Sequence, residues 1–508
     1  MMTHRAWRAG LVAALLLAGV AIRLVHLDQP LLSFHPTRQF RSAIIARACF
    51  VERADVPEWS RQVARANRAM QPAGEPPLLE WLACVAYGAV GQERLAIPRL
   101  LSVVAWVLGA LPLFALARRF AGATGAAVAL STYLFVPYGV VASRAFQPDA
   151  LMTSAALFAM LAIARYFEHQ SRRRLFMAAT AIAAAAVIKP MSVFLTVPAI
   201  AGVAFADGSL RALLRRSTWA VMVFGLLPAA LVYGYSAVFG TLARDQMHLR
   251  FVPTLIPTAF FWEGLWTQIG RVLGPTLFAV AVVGTVLADR RARVELAALW
   301  VGYLAFAIVF TYHMPTHDYY HLPYIALAAL ACAALVATLQ RHLEARGFAS
   351  LGYAIALGAI VLVVSAGAVR ALRQLAIDDR GAITMYEEIG ALAEHHRRVL
   401  FLDTAYGYPL MYHGQVAGDS WPSSDDVAAE GLGGASAISA EERFARDFAD
   451  YAPAFFIVTD LRSLGEQLDL QRWLGANAEV VRQTSKYHVY RLSKTGEAQP
   501  IQREQTSR

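Results

Sequence analysis

Apolar positions in this chain come in long blocks rather than in alternation. Runs of roughly 17–23 apolar residues, the length a helix needs to cross a bilayer, fall at about 8–27, 96–117, 124–141, 150–166, 218–235, 272–288, 294–312, 322–339 and 351–369. Two shorter runs, 175–188 and 190–205, meet at Lys189-Pro190 and read as a broken pair. A further run, 77–91, is apolar but short and carries Glu80. The pattern predicts an α-helical polytopic membrane protein with about 11–13 spans.

Polar residues between the runs set the orientation. Arg118-Arg119, EHQSRRR, RALLRR, DRRAR and QRHLEAR all fall on one side if 77–91 does not cross. Cytoplasmic loops collect Arg and Lys, so this reading is taken, and 77–91 is expected to lie in the interface. The first loop, about 28–94, then faces outward, as do ASRAFQPD, HMPTHDYYH and everything after about residue 376. The N-terminal MMTHRAWRAG precedes an apolar run without a small-residue cleavage site, so an uncleaved anchor is expected.

After residue 376 the period changes. ITMYEEIGALAEHHRR reads as a helix and VLFLD as a strand. SAEERFARDFADY reads as a helix, AFFIVTD as a strand and LRSLGEQLDLQRWL as a helix, with EVVRQTS and YHVYRL as a closing strand pair. The chain therefore divides at this stage into a membrane domain, 1–375, and an outer α/β domain, 376–508, with a polar, fraying end from Lys494. Asp403 and Asp460 follow predicted strands, where loop capping is favoured over ligand binding.

Composition agrees. The 508 residues are 57% hydrophobic and 16% charged, with mean hydropathy +0.45. The net charge of +10 is largely loop arginine, a topology signal rather than a nucleic-acid footprint. Three cysteines, Cys49, Cys84 and Cys332, are sparse and odd in number, which argues against a disulfide framework.

Candidate chemistry gathers in the outward loops. The first loop offers His35, Arg38, Gln39, Arg41 and Glu75; the second offers Arg144, Gln147 and Asp149; the break holds Lys189. The late loop offers His313, His317, Asp318, Tyr319, Tyr320 and His321. Charges at membrane depth are costly and mark function by default, although Asp149 and Glu75 could simply complement helix starts and Arg38 and Arg41 could touch headgroups. Pro315 and Pro323 weigh against a metal site at His317 and His321, and a divalent metal ion stays open only as an alternative cofactor. Cations to hold a phosphate and a carboxylate to take a proton suit displacement of a phosphate at a sugar carbon. No Walker, GxGxxG or nucleotide-sugar DxD motif stands in a suitable context.

The order of motifs resembles the bacterial GT-C glycosyltransferases of the protein O-mannosyltransferase and lipid A aminoarabinose transferase type. RQFRSAIIAR is similar to that family's first-loop D-E-x-R-Y-x-E-I-x-R, and EPPLLEWL to its K-P-P-L-x-x-W-L. GQERLAIPRLLS, ASRAFQPDAL, IKP and HDYYHLPYIAL resemble the later motifs, in matching order. The resemblance implies a polyprenyl-phosphate sugar donor, a lipid, glycan or protein acceptor, and transfer on the periplasmic side of a bacterial inner membrane. It implies that Asp149 matches the second-loop acid, Arg41 a first-loop arginine and Lys189 a phosphate-side lysine. The family's first-loop acidic pair is Arg38-Gln39 here, and the lysine before Pro-Pro is Glu75. The expected base is therefore Asp149, Glu75 or His35. The expected substrate contacts are Arg38, Gln39, Arg41, Arg144, Lys189, His317, Tyr319 and Tyr320. A lipid transporter or flippase is the alternative, but internal repeats, common in transporters, are not visible. A membrane scaffold whose outer domain binds a partner is a third reading.

Overall fold

The computed structural model describes residues 2–71, 74–206, 209–239, 250–432, 436 and 438–493. The expected fraying from Lys494 lies outside the described residues. The chain forms two compact units. One comprises Met1–Asp28, Ala73–Leu82 and Ala96–Ile377; the other comprises Gln29–Pro72, Ala83–Leu95 and Asp378–Arg508.

The first unit is helical. Among the described residues six helices are long and apolar enough to cross a membrane: Ala96–Phe135, Asp149–Glu168, Arg216–Val238, Arg290–Val309, Tyr324–Glu344 and Ala349–Leu375. The pair Ala259–Val272 and Pro275–Leu287, bent by 95°, makes a seventh if counted as one span. Ala9–Leu24, Leu78–Val90 and Pro190–Phe205 are apolar but shorter. The larger number expected from the sequence counts every apolar run, including these short ones. It also counts Ala96–Phe135 twice, and Gly122 (φ 63°, ψ −169°) does divide that stretch into two helices. Beside the kink, Arg119 pairs with Glu168 (2.8 Å) and Glu295 (2.9 Å), so a cation among apolar helices is matched by two carboxylates.

Leu78–Val90 is the helix whose crossing the loop charges argued against. At 13 residues it would span about 20 Å, short of the roughly 30 Å hydrocarbon core. Leu79, Glu80, Ala83, Cys84 and Tyr87 are buried on one face, while Trp81, Leu82, Val85 and Val90 are exposed on the other. An apolar exposed face on a short helix suits the bilayer interface.

The second unit carries a five-stranded sheet, with β1 Val399–Leu402, β2 Gly418–Ser420, β3 Phe455–Val458, β4 Ala478–Gln483 and β5 His488–Leu492. The order is β2-β1-β3-β5-β4. β1 pairs in parallel with β2 and β3; β5 runs antiparallel to β3 and β4. β1 and β3 are buried throughout, as central strands covered on both faces should be. One face packs Leu400, Leu402, Phe456 and Val458 on Trp421, Phe444, Phe448, Leu470 and Leu474. The expected strands over VLFLD, AFFIVTD, EVVRQTS and YHVYRL are present. β2 was not expected: Gly-Asp-Ser has no apolar alternation, and only pairing with β1 makes it a strand.

Asp403 and Asp460 act as caps. Asp403 Oδ1 accepts from the Ala405 and Gly407 amides (2.8 and 3.1 Å) and Oδ2 accepts from the Thr459 hydroxyl (2.5 Å). Asp460 accepts from the Ser463 amide at the start of Leu461–Glu466. The turn after Asp403 needs Gly407, which has φ 73° and sits where a Cβ would strike the Phe401 ring.

The cysteines correct the expectation drawn from their odd count. Cys49, on helix Pro36–Val51, and Cys84, on helix Leu78–Val90, form a disulfide, and Cys332 is free and buried. Spacing could not reveal a bond between two helices that meet only in the fold. Thiol labelling of the denatured protein should therefore modify one cysteine without reductant and three with it. Replacing both bonded cysteines by serine should cost about 2–4 kcal/mol of stability, read from the unfolding midpoint. Three reactive thiols before reduction would contradict the pairing.

Candidate active site

Two helix boundaries build the centre of the site in the first unit. Helix Arg172–Ile188 stops at Lys189, which is extended (φ −158°, ψ 121°) because Pro190 follows it. Helix Asp149–Glu168 starts immediately after Pro148 and makes no side-chain cap. Asp149 is thus a first-turn carboxylate, placed where the helix dipole favours negative charge. Lys189 Nζ donates to Asp149 Oδ1 at 2.7 Å, and both side chains are at most 2% exposed. The ammonium also lies 5.4 Å from the Tyr319 ring centre and 5.2 Å from that of Tyr320, within cation–π range.

The pair borders a cavity lined by Asp149, Lys189, Phe306, Tyr320 and Tyr324 together with Met152, Met191 and Leu195. Asp149 Oδ2 and the Tyr324 hydroxyl are buried and have no hydrogen-bond partner among the described residues. A buried carboxylate oxygen without a donor is costly, and such groups call for an explanation, often a catalytic role.

The late loop supplies the wall. The His317 ring lies 5.5 Å from that of Tyr319 and 6.1 Å from that of Tyr320, and it stacks on His313 at 5.3 Å. The Tyr138 hydroxyl donates to Asp318 Oδ1 (2.7 Å). His321 is not aimed at the cavity. Its Nδ1 accepts from Tyr303 (2.8 Å) and its Nε2 donates to the Met314 carbonyl (2.8 Å). Burial pushes its pKa down to about 4, so it stays neutral. Among the described residues no group of three or more His, Cys, Asp or Glu is placed to hold a metal ion.

Arg144 is turned to a backbone task. Its two terminal nitrogens donate to the Val25 and His26 carbonyls (2.5 and 2.6 Å). Arg99 holds the Leu27 carbonyl (2.9 Å), and Arg23 holds Ser143 (2.7 Å) and the Gly19 carbonyl (2.8 Å). Arg144 and Arg99 thus fasten the turn after the first helix, and Arg23 ties the helix itself to Ser143. The sequence singled out only Arg144, because Arg23 and Arg99 sit inside apolar runs and look like span ends. Glu75 is half-buried in the bend before Pro76-Pro77.

The remaining candidates belong to the second unit. His35 sits in the left-handed region (φ 42°) just before helix Pro36–Val51 and packs edge-on against Phe34. Gln39 donates to the Phe34 carbonyl. Arg38 and Arg41 share the electrostatic neighbourhood of Tyr408; burial raises that phenol's pKa and the two guanidinium groups oppose the rise. The structure therefore brings Asp149, Lys189, His317, Tyr319 and Tyr320 together in one unit and Arg38, Arg41, Gln39 and His35 on one helix start in the other.

Residues 74–235 match the family model described as dolichyl-phosphate-mannose-protein mannosyltransferase. No curated protein sequence matches the chain. Among solved structures, ArnT from Cupriavidus metallidurans bound to undecaprenyl phosphate superposes with a TM-score of 0.58 at 16% identity, covering 95% of this chain and 98% of that one. The Archaeoglobus fulgidus oligosaccharyltransferase, in complex with Zn and sulfate, gives 0.54 at 14% identity over 92% of this chain and 71% of that one. The arabinofuranosyltransferase AftD from Mycobacteria gives 0.54 at 14%, over 96% and 40%. With a lysine–carboxylate pair at a helix break and the late-loop aromatics around it, this chain has the fold of the GT-C membrane glycosyltransferases, and its residues 74–235 carry the match to the mannosyltransferase family model.

Proposed function

We propose that the protein transfers a sugar from a polyprenyl-phosphate donor to a hydroxyl of a lipid, glycan or protein acceptor on the outer side of a bacterial plasma membrane. The observation that carries this reading is the buried Asp149–Lys189 pair at the edge of an aromatic-lined cavity within a GT-C fold. The ArnT structure holds undecaprenyl phosphate, which supports the donor class. In the reaction the acceptor hydroxyl loses its proton to a carboxylate as its oxygen attacks the anomeric carbon. The bond from that carbon to the phosphate oxygen breaks, and polyprenyl phosphate leaves with the electron pair. Lys189, Arg41 and Arg38 neutralise the departing phosphate. Asp149 or Glu75 takes the proton, with His35 as the third candidate. His317, Tyr319 and Tyr320 shape the pocket for the sugar.

The disulfide supports the outward side. Disulfides persist in oxidising compartments, and Cys49–Cys84 lies in the loop that the arginine pattern turns away from the cytoplasm. In this reading residues 1–375 form the catalytic membrane domain and residues 376–508 the periplasmic α/β domain.

The test is sugar transfer by the purified protein from a defined polyprenyl-phosphate sugar to an envelope extract. Acceptor-dependent release of free polyprenyl phosphate is expected. Movement of intact glycolipid between leaflets without its cleavage would establish the transporter reading instead.

A further inference from the structure

Within the second unit one aromatic residue from the C-terminal portion grips the cationic helix of the first loop. Helix Pro36–Val51 carries Arg38 and Arg41 near its start. Phe40 and Arg47, seven residues apart, share a different stripe, because seven residues make almost two whole turns. That stripe meets Tyr412. The Arg47 guanidinium lies 3.6 Å from the Tyr412 ring centre and donates to the Tyr412 carbonyl. Arg47 Nε donates to Glu93 Oε2 (2.8 Å), and the Tyr412 hydroxyl donates to the other Glu93 oxygen (2.5 Å). The Phe40 ring is 5.3 Å from both Tyr412 and His413. Burial disfavours the charge of Arg47, but Glu93 and Tyr412 outweigh it and hold the guanidinium pKa above its ordinary value, so the arginine, the glutamate and the phenol satisfy one another in a closed set.

The rest of the same turn grips the next helix, Glu58–Ala69. Asn67 donates to the Met411 and Val416 carbonyls (3.4 and 3.0 Å), Ser60 donates to Gln415 (2.7 Å), and Trp59 stacks on His395 at 4.3 Å. The turn itself, from which His395 is separate, is a π-helical segment, Leu410–Gly414, closed by Gln415 in the left-handed conformation. π-helical turns are rare and recur at functional positions.

We infer that Tyr412 is a positioning residue: it fixes the rotation of helix Pro36–Val51 about its axis, and so sets where Arg38 and Arg41 present their charge to the phosphate of the lipid donor. The inference rests on the proposed role of those two arginines. A one-residue rotation of the helix, about 100°, would carry both away from their ligand. The C-terminal portion then contributes to donor affinity without touching the donor.

The experiment uses the full chain in nanodiscs and undecaprenyl phosphate as probe, with Tyr412→Leu, Tyr412→Phe and an Arg38→Ala/Arg41→Ala pair. Retention of the Cys49–Cys84 bond in each variant confirms that the loop has folded. Tyr412→Leu is expected to raise amide exchange across residues 36–51, to weaken lipid binding about tenfold, and to raise KM for the donor together with a fall in kcat, because the same arginines meet the phosphate bound and departing. Tyr412→Phe keeps the ring over Arg47 and should restore binding to within about threefold. Weak binding by the arginine pair with normal binding by Tyr412→Leu would overturn the positioning role and leave the phosphate assignment standing. Normal binding by the arginine pair would overturn both. A Tyr412→Leu variant whose kcat falls with its KM unchanged would also overturn it.

Discussion

Lys189→Met is expected to destabilise the protein by about 3–5 kcal/mol and to slow sugar transfer by at least about a hundredfold. Both effects follow from burial. Asp149 is 1% exposed, and its one hydrogen-bonded oxygen depends on Lys189. Removing the ammonium leaves a carboxylate among methionine, leucine and aromatic side chains, where an unpaired charge is far more costly than the pair was favourable. The double variant Lys189→Met, Asp149→Leu removes both charges and should regain most of the stability, since apolar replacement of a whole buried pair is often neutral or better. It should regain none of the activity. Unfolding midpoints in detergent and acceptor-dependent release of polyprenyl phosphate read the two effects separately. A pair kept only for stability would leave the double variant both stable and active, and that result would remove Lys189 and Asp149 from the site.

Asp149→Asn combined with Glu75→Gln should lower transfer by about 10²–10⁴-fold, the range expected when a general base is lost. Asparagine keeps the size of Asp149 and can still accept from Lys189 through its amide oxygen, so the fold should survive better than after loss of the lysine. The single variants identify the base. Asp149 is favoured by geometry, because Oδ1 is occupied by Lys189 while Oδ2, at the cavity, has no partner among the described residues. Glu75 lies half-buried in a bend before two prolines, with its charge beside the Tyr233 phenol. If Asp149→Asn alone reproduces the double loss, Asp149 is the base. If neither single variant nor the pair slows the reaction, both carboxylates are excluded and His35 becomes the group to replace.

Much of this was open to reading from the chain itself, for reasons that are local. Apolar runs must be helices in lipid, since no other open segment can satisfy its own backbone there. Lys189 before Pro190 had to end a helix, and Asp149 after Pro148 had to open one. The short apolar cores of VLFLD and AFFIVTD, VLFL and FFIV, read as strands. These statements need only a few neighbouring residues, and the structure agrees with each of them.

Other features depend on residues far apart in sequence. The Asp149–Lys189 bond joins positions 40 residues apart, and the Arg47–Tyr412 clasp joins positions 365 apart. Neither spacing has a period. Cys49 and Cys84 read as unpaired thiols until two helices set their sulfurs together. Arg144 looked like a substrate contact, but the fold brings the Val25 and His26 carbonyls within its reach. The order of residues was enough for a helical membrane chain with an α/β region and a set of cations and acids suited to a phosphate. Which cation meets which carboxylate, which arginine serves the backbone and which tyrosine holds the cationic helix came from the fold, because such pairings arise from packing between elements and not from the order of residues within one.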